Sequence, residues 1–168
     1  EVLTGFRYSL QGGSGYVGVR PHLACYGKAL ANGYPLSCIA GPRELMQYFE
    51  EKVFFSGTNC EEILSLAACV ATLRQLREDP DFYHKLNAYG EAIRGAFVDA
   101  TYAHSIAAHT IGHGIRFQFV FDETAMRKVF VRKMCDLGVL IGRDFFVTKA
   151  MMGEIPFEFW RECFRDAL

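Results

Sequence analysis

The sequence has no long apolar run, no excess of charge of one sign and no closely spaced pair of cysteines. Its 168 residues carry 18 lysines and arginines against 19 aspartates and glutamates, a net charge of −1. The basic stripe that binds a phosphate backbone is absent, so we expect no nucleic-acid partner. No run approaches the roughly 18 apolar residues of a membrane helix. No charged segment followed by an apolar one opens the chain, so we expect neither a membrane span nor a secretory signal.

The six cysteines are scattered, mostly within apolar runs, and none forms a C-x-x-C pair. This pattern is typical of reduced thiols in the core of a cytoplasmic protein, and it disfavours a disulfide scaffold or a zinc site. His109 and His113 lie four residues apart, as in helical zinc sites, but Gly112 and Gly114 disfavour a helix there. No glutamate follows His109 as in the metalloprotease motif. We expect no bound metal.

Apolar residues make up 51% of the chain and aromatic residues 14%, which is enough for a sizeable core. Short apolar runs alternate with glycine-rich turns up to about residue 60, and a small α/β pattern follows residue 78. The predicted strands are two buried ones at 23–25 and 36–40, and three others at 115–121, 139–141 and 145–147. The predicted helices are 42–50 with Pro42 at its first position, 61–77, 79–102, 123–136 with Gly138 as C-cap, and 157–168.

Within the helix predicted at 61–77, Ile63, Leu66, Val70 and Leu73 recur on one face, with Ala67 beside them. Apolar residues at this spacing form the side of a helix that packs on a core. We therefore expect this face to be buried.

The stretch 12–15 has three glycines around Ser14 and resembles a phosphate-binding loop. Such a loop requires a lysine after it and a strand leading into it, and neither is present. We predict a flexible turn at this position.

Lys28 stands between small residues and glycines, after one apolar region and before another. In a tight, partly desolvated loop between buried strands, burial disfavours the charged form of an amine. The neutral amine is a nucleophile able to form an imine with an aldehyde. The alternative is a lysine in an exposed surface turn, and spacing alone does not separate the two.

Ser56, Gly57 and Thr58 precede the helix predicted at 61–77. Free backbone N–H groups, a hydroxyl and the positive end of a helix dipole suit a phosphate group. The alternative is that Thr58 or Asn59 merely caps the helix.

Four motifs occur in order along the chain, at 1–7, 18–23, 27–36 and 55–58. In that order they resemble the second half of a class III, fold-type I aminotransferase, above all its glutamate-1-semialdehyde aminomutase branch. The resemblance is strongest over residues 1–77 and thins toward the C-terminus.

The resemblance implies an α/β fold. Residues 1–77 would form part of the pyridoxal-phosphate-binding large domain, a mostly parallel sheet with helices, and residues 78–168 a small C-terminal α/β domain. It implies pyridoxal 5′-phosphate as cofactor and a homodimer. Lys28 would be the internal-aldimine lysine, and Ser56, Gly57 and Thr58 would bind the cofactor. Thr58 would reach the phosphate of the neighbouring subunit, although residues 59–62 depart from the smaller, glycine-containing residues of relatives.

In the family, the aspartate that holds the pyridine nitrogen directly precedes the Glu-Val of the first motif, and this sequence starts at Glu1. Glu1 would point to the opposite strand face, so we do not assign it that role. Arg7 matches a motif arginine, for which we expect a structural ion pair. His22 stands where relatives usually have aspartate, and we interpret it as a local surface variation. We expect an incomplete enzyme that is inactive by itself.

The resulting hypothesis is a cytoplasmic enzyme that moves an amino group from a small-molecule amine donor to a carbonyl acceptor, or within one substrate as an aminomutase does. A racemase of the same branch is an alternative, since its cofactor chemistry is the same until the proton is returned to the substrate. A different class is a non-catalytic dimerisation or interaction module, which the absence of an aspartate before Glu1 in the natural gene would favour. A third possibility is a small α/β binding domain without pyridoxal phosphate, which requires the four motifs to agree by chance.

Overall fold

The computed structural model describes residues 1–58, 60 and 62–168. The chain divides into two compact units, Glu1–Phe82 and Tyr83–Leu168. This division lies close to the domain boundary predicted after residue 77. The assignment of the two parts to a large and a small domain stays a prediction.

The first unit contains short elements around one longer helix. They are α1 (Gly12–Tyr16), β1 (Ala24–Tyr26), a single 3₁₀ turn (Lys28–Ala31), β2 (Cys38–Ala40), α2 (Arg43–Met46), α3 (Tyr48–Glu51) and α4 (Ile63–Glu78). We call the 3₁₀ turn Lys28–Ala31 the lysine turn. β1 and β2 pair antiparallel, with Ala24 opposite Ala40 and Tyr26 opposite Cys38, so the lysine turn lies in the connection between two paired strands.

Several predictions for the first unit were wrong in detail. The strands expected to be buried at 23–25 and 36–40 are three-residue strands whose side chains are half-buried or exposed. Two paired strands leave both faces of the sheet open unless another layer covers them. The strand pairings in the described residues are antiparallel, in place of the mostly parallel sheet expected. The helix predicted at 42–50 is divided into α2 and α3 at Gln47, and Pro42 is the N-cap of α2 rather than its first helical residue. The predicted start of the next helix at Glu61 lies outside the described residues.

The apolar face of helix α4, which the hydrophobic periodicity predicted to be buried, is largely exposed. Ile63, Leu66 and Val70 are 77%, 44% and 47% exposed. The helix packs against the lysine turn, and Ser65 is its fully buried residue. Hydrophobic spacing therefore predicted the helix and its apolar stripe correctly. The side of the helix that is buried is instead the one that packs against the lysine turn.

The second unit is an antiparallel sheet with helices. Its elements are α5 (Phe82–Ala103), β3 (Ala108–His113), β4 (Arg116–Phe121), α6 (Thr124–Asp136), β5 (Phe145–Phe146), α7 (Lys149–Glu154) and α8 (Phe157–Ala167). The sheet order is β3-β4-β5. The predictions of a strand at 115–121 and a helix at 123–136 are confirmed. The C-cap is Leu137 rather than the predicted Gly138, which directly follows it in a left-handed conformation with φ 85°. The strand predicted at 139–141 is wrong, because this segment forms a loop.

The core of the second unit is a cluster of aromatic side chains centred on Phe97 of α5. Its ring centroid lies 4.7 Å from that of Phe119 and 5.5–5.7 Å from those of Phe121, Phe130 and Phe164. Every second residue of β4 points into this cluster, since Phe117, Phe119 and Phe121 are buried and the residues between them are half-buried. Strand alternation thus fills the core from one side, while α5, α6 and α8 fill it from the other.

Helix α5 approaches the β3–β4 hairpin closely at a pair of glycines. A Cβ placed on Gly90 would lie 1.7 Å from the carbonyl oxygen of Gly114, far inside van der Waals contact. The missing side chain at Gly90 is therefore what lets the helix backbone rest on the hairpin turn.

We expect Gly90→Ala to destabilise the second unit by about 2 kcal/mol or more, because the added methyl group forces the helix away from the hairpin. Gly95→Ala is the matched control on the same helix: a Cβ there meets nothing within 4 Å. That control should instead stabilise the helix by about 0.5–1 kcal/mol. Urea unfolding followed by the fluorescence of the buried Trp160 measures both. Equal unfolding midpoints for the two variants would contradict the close approach.

Candidate active site

The lysine turn has an unusual backbone conformation at both ends. Lys28 has φ 47° and Asn32, which follows the turn, has φ 48°. Asparagine tolerates the left-handed region, whereas a lysine there carries strain of about 1–2 kcal/mol. Strain of this kind persists only where the surrounding structure imposes it, and it is found preferentially at functional positions. The left-handed conformation of Lys28 is thus an indication of a functional role that does not depend on its sequence motif.

Two buried residues hold the turn in place. Leu30 is 4% exposed and Ala31 is fully buried, and α4 packs against the turn with Ser65 on its buried side. The Lys28 side chain is exposed, so the partial burial expected for it is not found. The reason is that Leu30 and Ala31 occupy the inward side of the turn, which leaves Lys28 on the outward side.

Lys28 lines an open cavity of about 530 Å³. Polar side chains around it are those of Arg7, Asn32 and Tyr34, and the remaining described lining residues are Ala29, Gly33, Pro35 and Leu36. Arg7 Nε donates a hydrogen bond to the Leu3 carbonyl at 2.8 Å. The structure thus brings Arg7 to the same cavity as Lys28, whereas the ion pair expected for Arg7 stays a prediction. Asn32 and Tyr34, which follow Lys28 in the same loop, also line this cavity.

Thr58 and Gly57 line a second cavity of about 570 Å³, together with Phe55, Cys60 and the segment 35–37. The two cavities share Pro35 and Leu36. Ser56 is exposed and is not among the described residues that line either one. Within one chain, therefore, Lys28 and Thr58 line different cavities that have Pro35 and Leu36 in common.

The cap of α4 is Glu62, so the alternative interpretation of Thr58 as the helix cap is wrong. The Glu62 carboxylate accepts hydrogen bonds from the backbone N–H groups of Ser65 at 2.6 Å and Leu64 at 2.8 Å. Hydrogen bonds from Ser65 and Leu64 lower the pKa of Glu62. A carboxylate of the chain thus occupies N–H groups that the sequence interpretation offered to a phosphate. Asn59, the other suggested cap, lies outside the described residues.

The stretch 12–15 is part of the short helix α1 rather than a flexible turn, and Glu1 is the reason. The Glu1 carboxylate accepts hydrogen bonds from the backbone N–H groups of Gly13 at 3.0 Å and Ser14 at 2.7 Å, and from Thr4 Oγ1 at 2.5 Å. Partial burial alone would raise the pKa of Glu1, but the hydrogen bonds from Ser14, Thr4 and Gly13 lower it to about 2. The resemblance to an anion-binding loop is thus real, and the anion is the chain's own Glu1. This engagement agrees with leaving Glu1 out of the catalytic assignment.

Other candidates lie apart from these cavities. His22 is exposed. His109 and His113 lie on strand β3, where residues four apart are separated by about 13 Å and cannot share a metal. In residues 1–58, 60 and 62–168, no cluster of three or more histidine, cysteine or acidic side chains has the arrangement of a metal site. Among the same residues, no helix combines the length and apolar character of a membrane span.

The cysteines are free, and most are not in a core. Cys25, Cys38, Cys60 and Cys135 are exposed, Cys69 is half-buried and Cys163 is buried. The expectation of core thiols therefore holds for Cys163 alone among the cysteines. Apolar neighbours in sequence did not predict burial, because the short elements of the first unit leave many apolar side chains exposed.

Comparison with known proteins gives a consistent match. The sequence model of a family described as "Aminotransferase class-III" matches residues 1–147. A glutamate-1-semialdehyde 2,1-aminomutase of Lachnoclostridium phytofermentans is 33% identical over 138 residues, which are 81% of this chain and 32% of that protein. The aminomutase of Thermosipho africanus is 28% identical over 160 residues, 94% of this chain and 38% of that protein. The chain thus spans about a third of the length of these curated relatives.

Solved structures show the same fold. A structure described as a transaminase with PLP bound superposes with a TM-score of 0.86 at 24% identity, covering 100% of this chain and 42% of that one. An omega-transaminase from Sphaerobacter thermophilus superposes with a TM-score of 0.81 at 17% identity, covering 99% and 43%. The predicted α/β class and its fold-type I relationship are confirmed.

The carboxylate of Glu1 leads to a pH-dependent prediction. A folded-state pKa lowered from 4.5 to about 2 means that the stabilisation by Glu1 is fully present above about pH 4.5 and is lost as the pH falls through about 2. We expect Glu1→Gln to reduce the hydrogen-exchange protection of the Gly13 and Ser14 amides at neutral pH. The difference in amide protection between Glu1→Gln and the unsubstituted chain should become smaller below about pH 4.5, because the Glu1 carboxylate then begins to lose its stabilising effect. Glu44→Gln, at an exposed glutamate of α2, is the control. A difference that does not change with pH would contradict the assignment.

Proposed function

The chain belongs to the class III aminotransferase family, and from this premise we propose that the whole protein transfers an amino group with pyridoxal 5′-phosphate as its cofactor. The observation that carries the proposal is the placement of Lys28. It lies on a strained turn held by buried residues, with its side chain exposed in a cavity. A primary amine held in this way is the group that binds an aldehyde cofactor covalently.

The chemistry of the residues present fits this cofactor. Lys28 supplies the amine, while the hydroxyl of Thr58 and the backbone at Gly57 supply groups that suit a phosphate. Ser56 adjoins them and is proposed as a weaker contributor, since it lines neither cavity. When bound, the cofactor supplies an electron sink that stabilises negative charge on the substrate carbon. Lys28 Nζ would have two tasks in sequence, first to hold the cofactor and then to take a proton from that carbon.

We further propose that the working enzyme is a homodimer with shared sites. Lys28 and Thr58 line different cavities of one chain, so a second copy is needed if Thr58 is to serve the phosphate beside a Lys28. Apolar side chains next to Thr58 support such an interface: Phe54 is 93% exposed and Phe55 64% exposed. Exposed aromatic residues of this kind are enriched where proteins associate.

Within this chemistry, the substrates are an amine donor and a carbonyl acceptor, or a single substrate whose amino group is moved. The aminomutase names of the relatives support the second form. A racemase of the same branch is the remaining variation. The presence of Lys28 in a cavity favours an enzyme over a non-catalytic interaction module. Exposed free cysteines suit a reducing compartment, so we propose the cytoplasm as its location.

We expect Lys28→Ala to abolish the visible absorbance band that appears when pyridoxal 5′-phosphate is added to the protein, because the amine that holds the aldehyde is gone. Borohydride reduction followed by peptide mapping should place the label on Lys28 in the unsubstituted protein. Lys52→Ala, which removes another exposed lysine of the first unit, is the control and should label normally. Labelling at many lysines with no loss in Lys28→Ala would contradict the proposal.

A mixing experiment tests the shared sites. Lys28→Ala and Thr58→Val each damage both sites of a homodimer, but a mixed dimer carries one site with both residues intact. Dissociating and reassociating an equal mixture should therefore restore tight cofactor binding at about a quarter of the sites. Thr58→Ser, which keeps the hydroxyl, should bind normally by itself. Failure of the mixture to recover, in a sample shown to exchange subunits, would mean that Lys28 and Thr58 act within one chain.

A further inference from the structure

The turn between β3 and β4 is closed by a side chain as well as by the backbone. His113 pairs with Arg116 across the hairpin, so Gly114 and Ile115 form a two-residue turn. The N–H of Ile115 donates a hydrogen bond to His113 Nδ1 at 3.3 Å. Asparagine and aspartate commonly make such a contact from the first residue of a turn to the N–H two residues on. Histidine in this place adds a group that titrates near neutral pH.

This hydrogen bond requires the neutral form of the His113 ring. A ring that accepts at Nδ1 carries its proton on Nε2, whereas both nitrogens of a protonated ring are donors. Protonation therefore sets two N–H groups against each other, and the N–H of Ile115 loses this acceptor. Because Ile115 is only 1% exposed, its N–H group is deprived of water as well, and a buried donor without its acceptor carries a desolvation cost.

The same turn contacts two neighbouring elements of the second unit. The carbonyl oxygen of Gly114 lies against α5 at Gly90, where the backbone leaves no room for a Cβ. The carbonyl of Ile115 accepts a hydrogen bond from the N–H of Val147 at 2.9 Å, directly after β5. A change in the conformation of this turn therefore alters its contacts with both α5 and the segment after β5.

The surroundings of His113 favour its neutral form. Burial lowers the pKa of His113 from its usual value of 6.5, Glu91 of α5 opposes this change, and Arg94 of α5 adds to it. Glu91 is itself paired with Arg94 at 2.8 Å. Across the hairpin lies a further cation, Arg116, in an ion pair with Asp144 at 2.8 Å. The hydrogen bond from Arg116 lowers the pKa of Asp144, so this carboxylate stays charged over the range in which histidine titrates.

We propose that His113 is a pH-sensitive switch for the turn between β3 and β4. The neutral ring closes the turn, and protonation opens it and loosens its contacts with α5 and with the segment after β5. A folded-state pKa below 6.5 means that this stabilisation is fully present above about pH 6.5 and is lost as the pH falls through the lowered value. The proposal concerns the second unit and is independent of the proposed function.

Amide hydrogen exchange of the full chain, followed by NMR, measures the opening of the turn. Exchange rates at about pH 7.5 and about pH 5, on either side of the usual histidine pKa, are converted to protection factors, which removes the direct effect of pH on exchange. We expect the protection of the Ile115 and Val147 amides to fall about three- to tenfold at the lower pH, the size of one hydrogen bond. The ring resonances of His113 should titrate over the same range.

Two variants make the result specific to His113. His113→Asn keeps an acceptor for the Ile115 N–H but does not titrate, so the protection should stay high at both pH values. His109→Asn, at an exposed histidine of the same strand, should respond to pH as the unsubstituted chain does. Far-UV circular dichroism establishes that each variant is folded. An equal fall in protection in His113→Asn and the unsubstituted chain, or no fall in the unsubstituted chain, would overturn the proposal.

A third variant reproduces the open turn without a change of pH. His113→Ala has no acceptor at any pH, so its Ile115 amide should be as weakly protected at about pH 7.5 as that of the unsubstituted chain is at about pH 5. Protection equal to that of the unsubstituted chain at about pH 7.5 would show that the Nδ1 contact does not close the turn, and would overturn the proposal. The comparison with His113→Asn decides the question independently if His113→Ala does not fold.

Discussion

The left-handed backbone of Lys28 is the constraint from which the arrangement of the first unit follows. An L-residue in this conformation costs about 1–2 kcal/mol, and burial of Leu30 and Ala31 against α4 offsets that cost. Because these two side chains take the inward direction, the Lys28 side chain is directed outward into the cavity. The turn then ends at Asn32 in a second left-handed conformation, which lets the chain return to pair β2 with β1. One backbone outlier thus links strand pairing, helix packing and the direction of the reactive amine.

The two units are stabilised by different means. The second contains a cluster of phenylalanine rings around Phe97, with Trp160 Nε1 donating to Tyr89 Oη at 2.8 Å at its edge. Of the buried apolar side chains in the part of the chain that the structure describes, only Leu30 and Ala31 belong to the first unit. The first unit instead exposes large side chains such as Phe54 and Ile63. Apolar area of this extent is stabilised when further polypeptide covers it, which agrees with a site completed by a second copy.

Strands and helices could be predicted from the sequence where the spacing of apolar residues is regular. β4 and α6 were found because alternation at 115–121 and helical spacing at 123–136 are strong local signals. β3 was missed because His109, Gly112 and His113 interrupt any apolar alternation, and its existence depends on pairing with β4 across a turn. The strand expected at 139–141 failed for the converse reason. Its apolar residues are contiguous, yet Val139 is buried while Leu140 is 86% exposed in a loop.

By itself, the sequence determined the family and the two residues on which the proposed chemistry depends, Lys28 and Thr58, because motif order and residue type are local properties. The tertiary structure alone decided that Lys28 is exposed, that Arg7 shares its cavity, that Thr58 faces a different one, and that Glu62 rather than Thr58 caps α4. Each of these depends on contacts between distant segments or on competition among neighbouring groups for the same hydrogen bonds. Such contacts are settled by packing and backbone strain across the whole unit, which no local pattern of residues encodes.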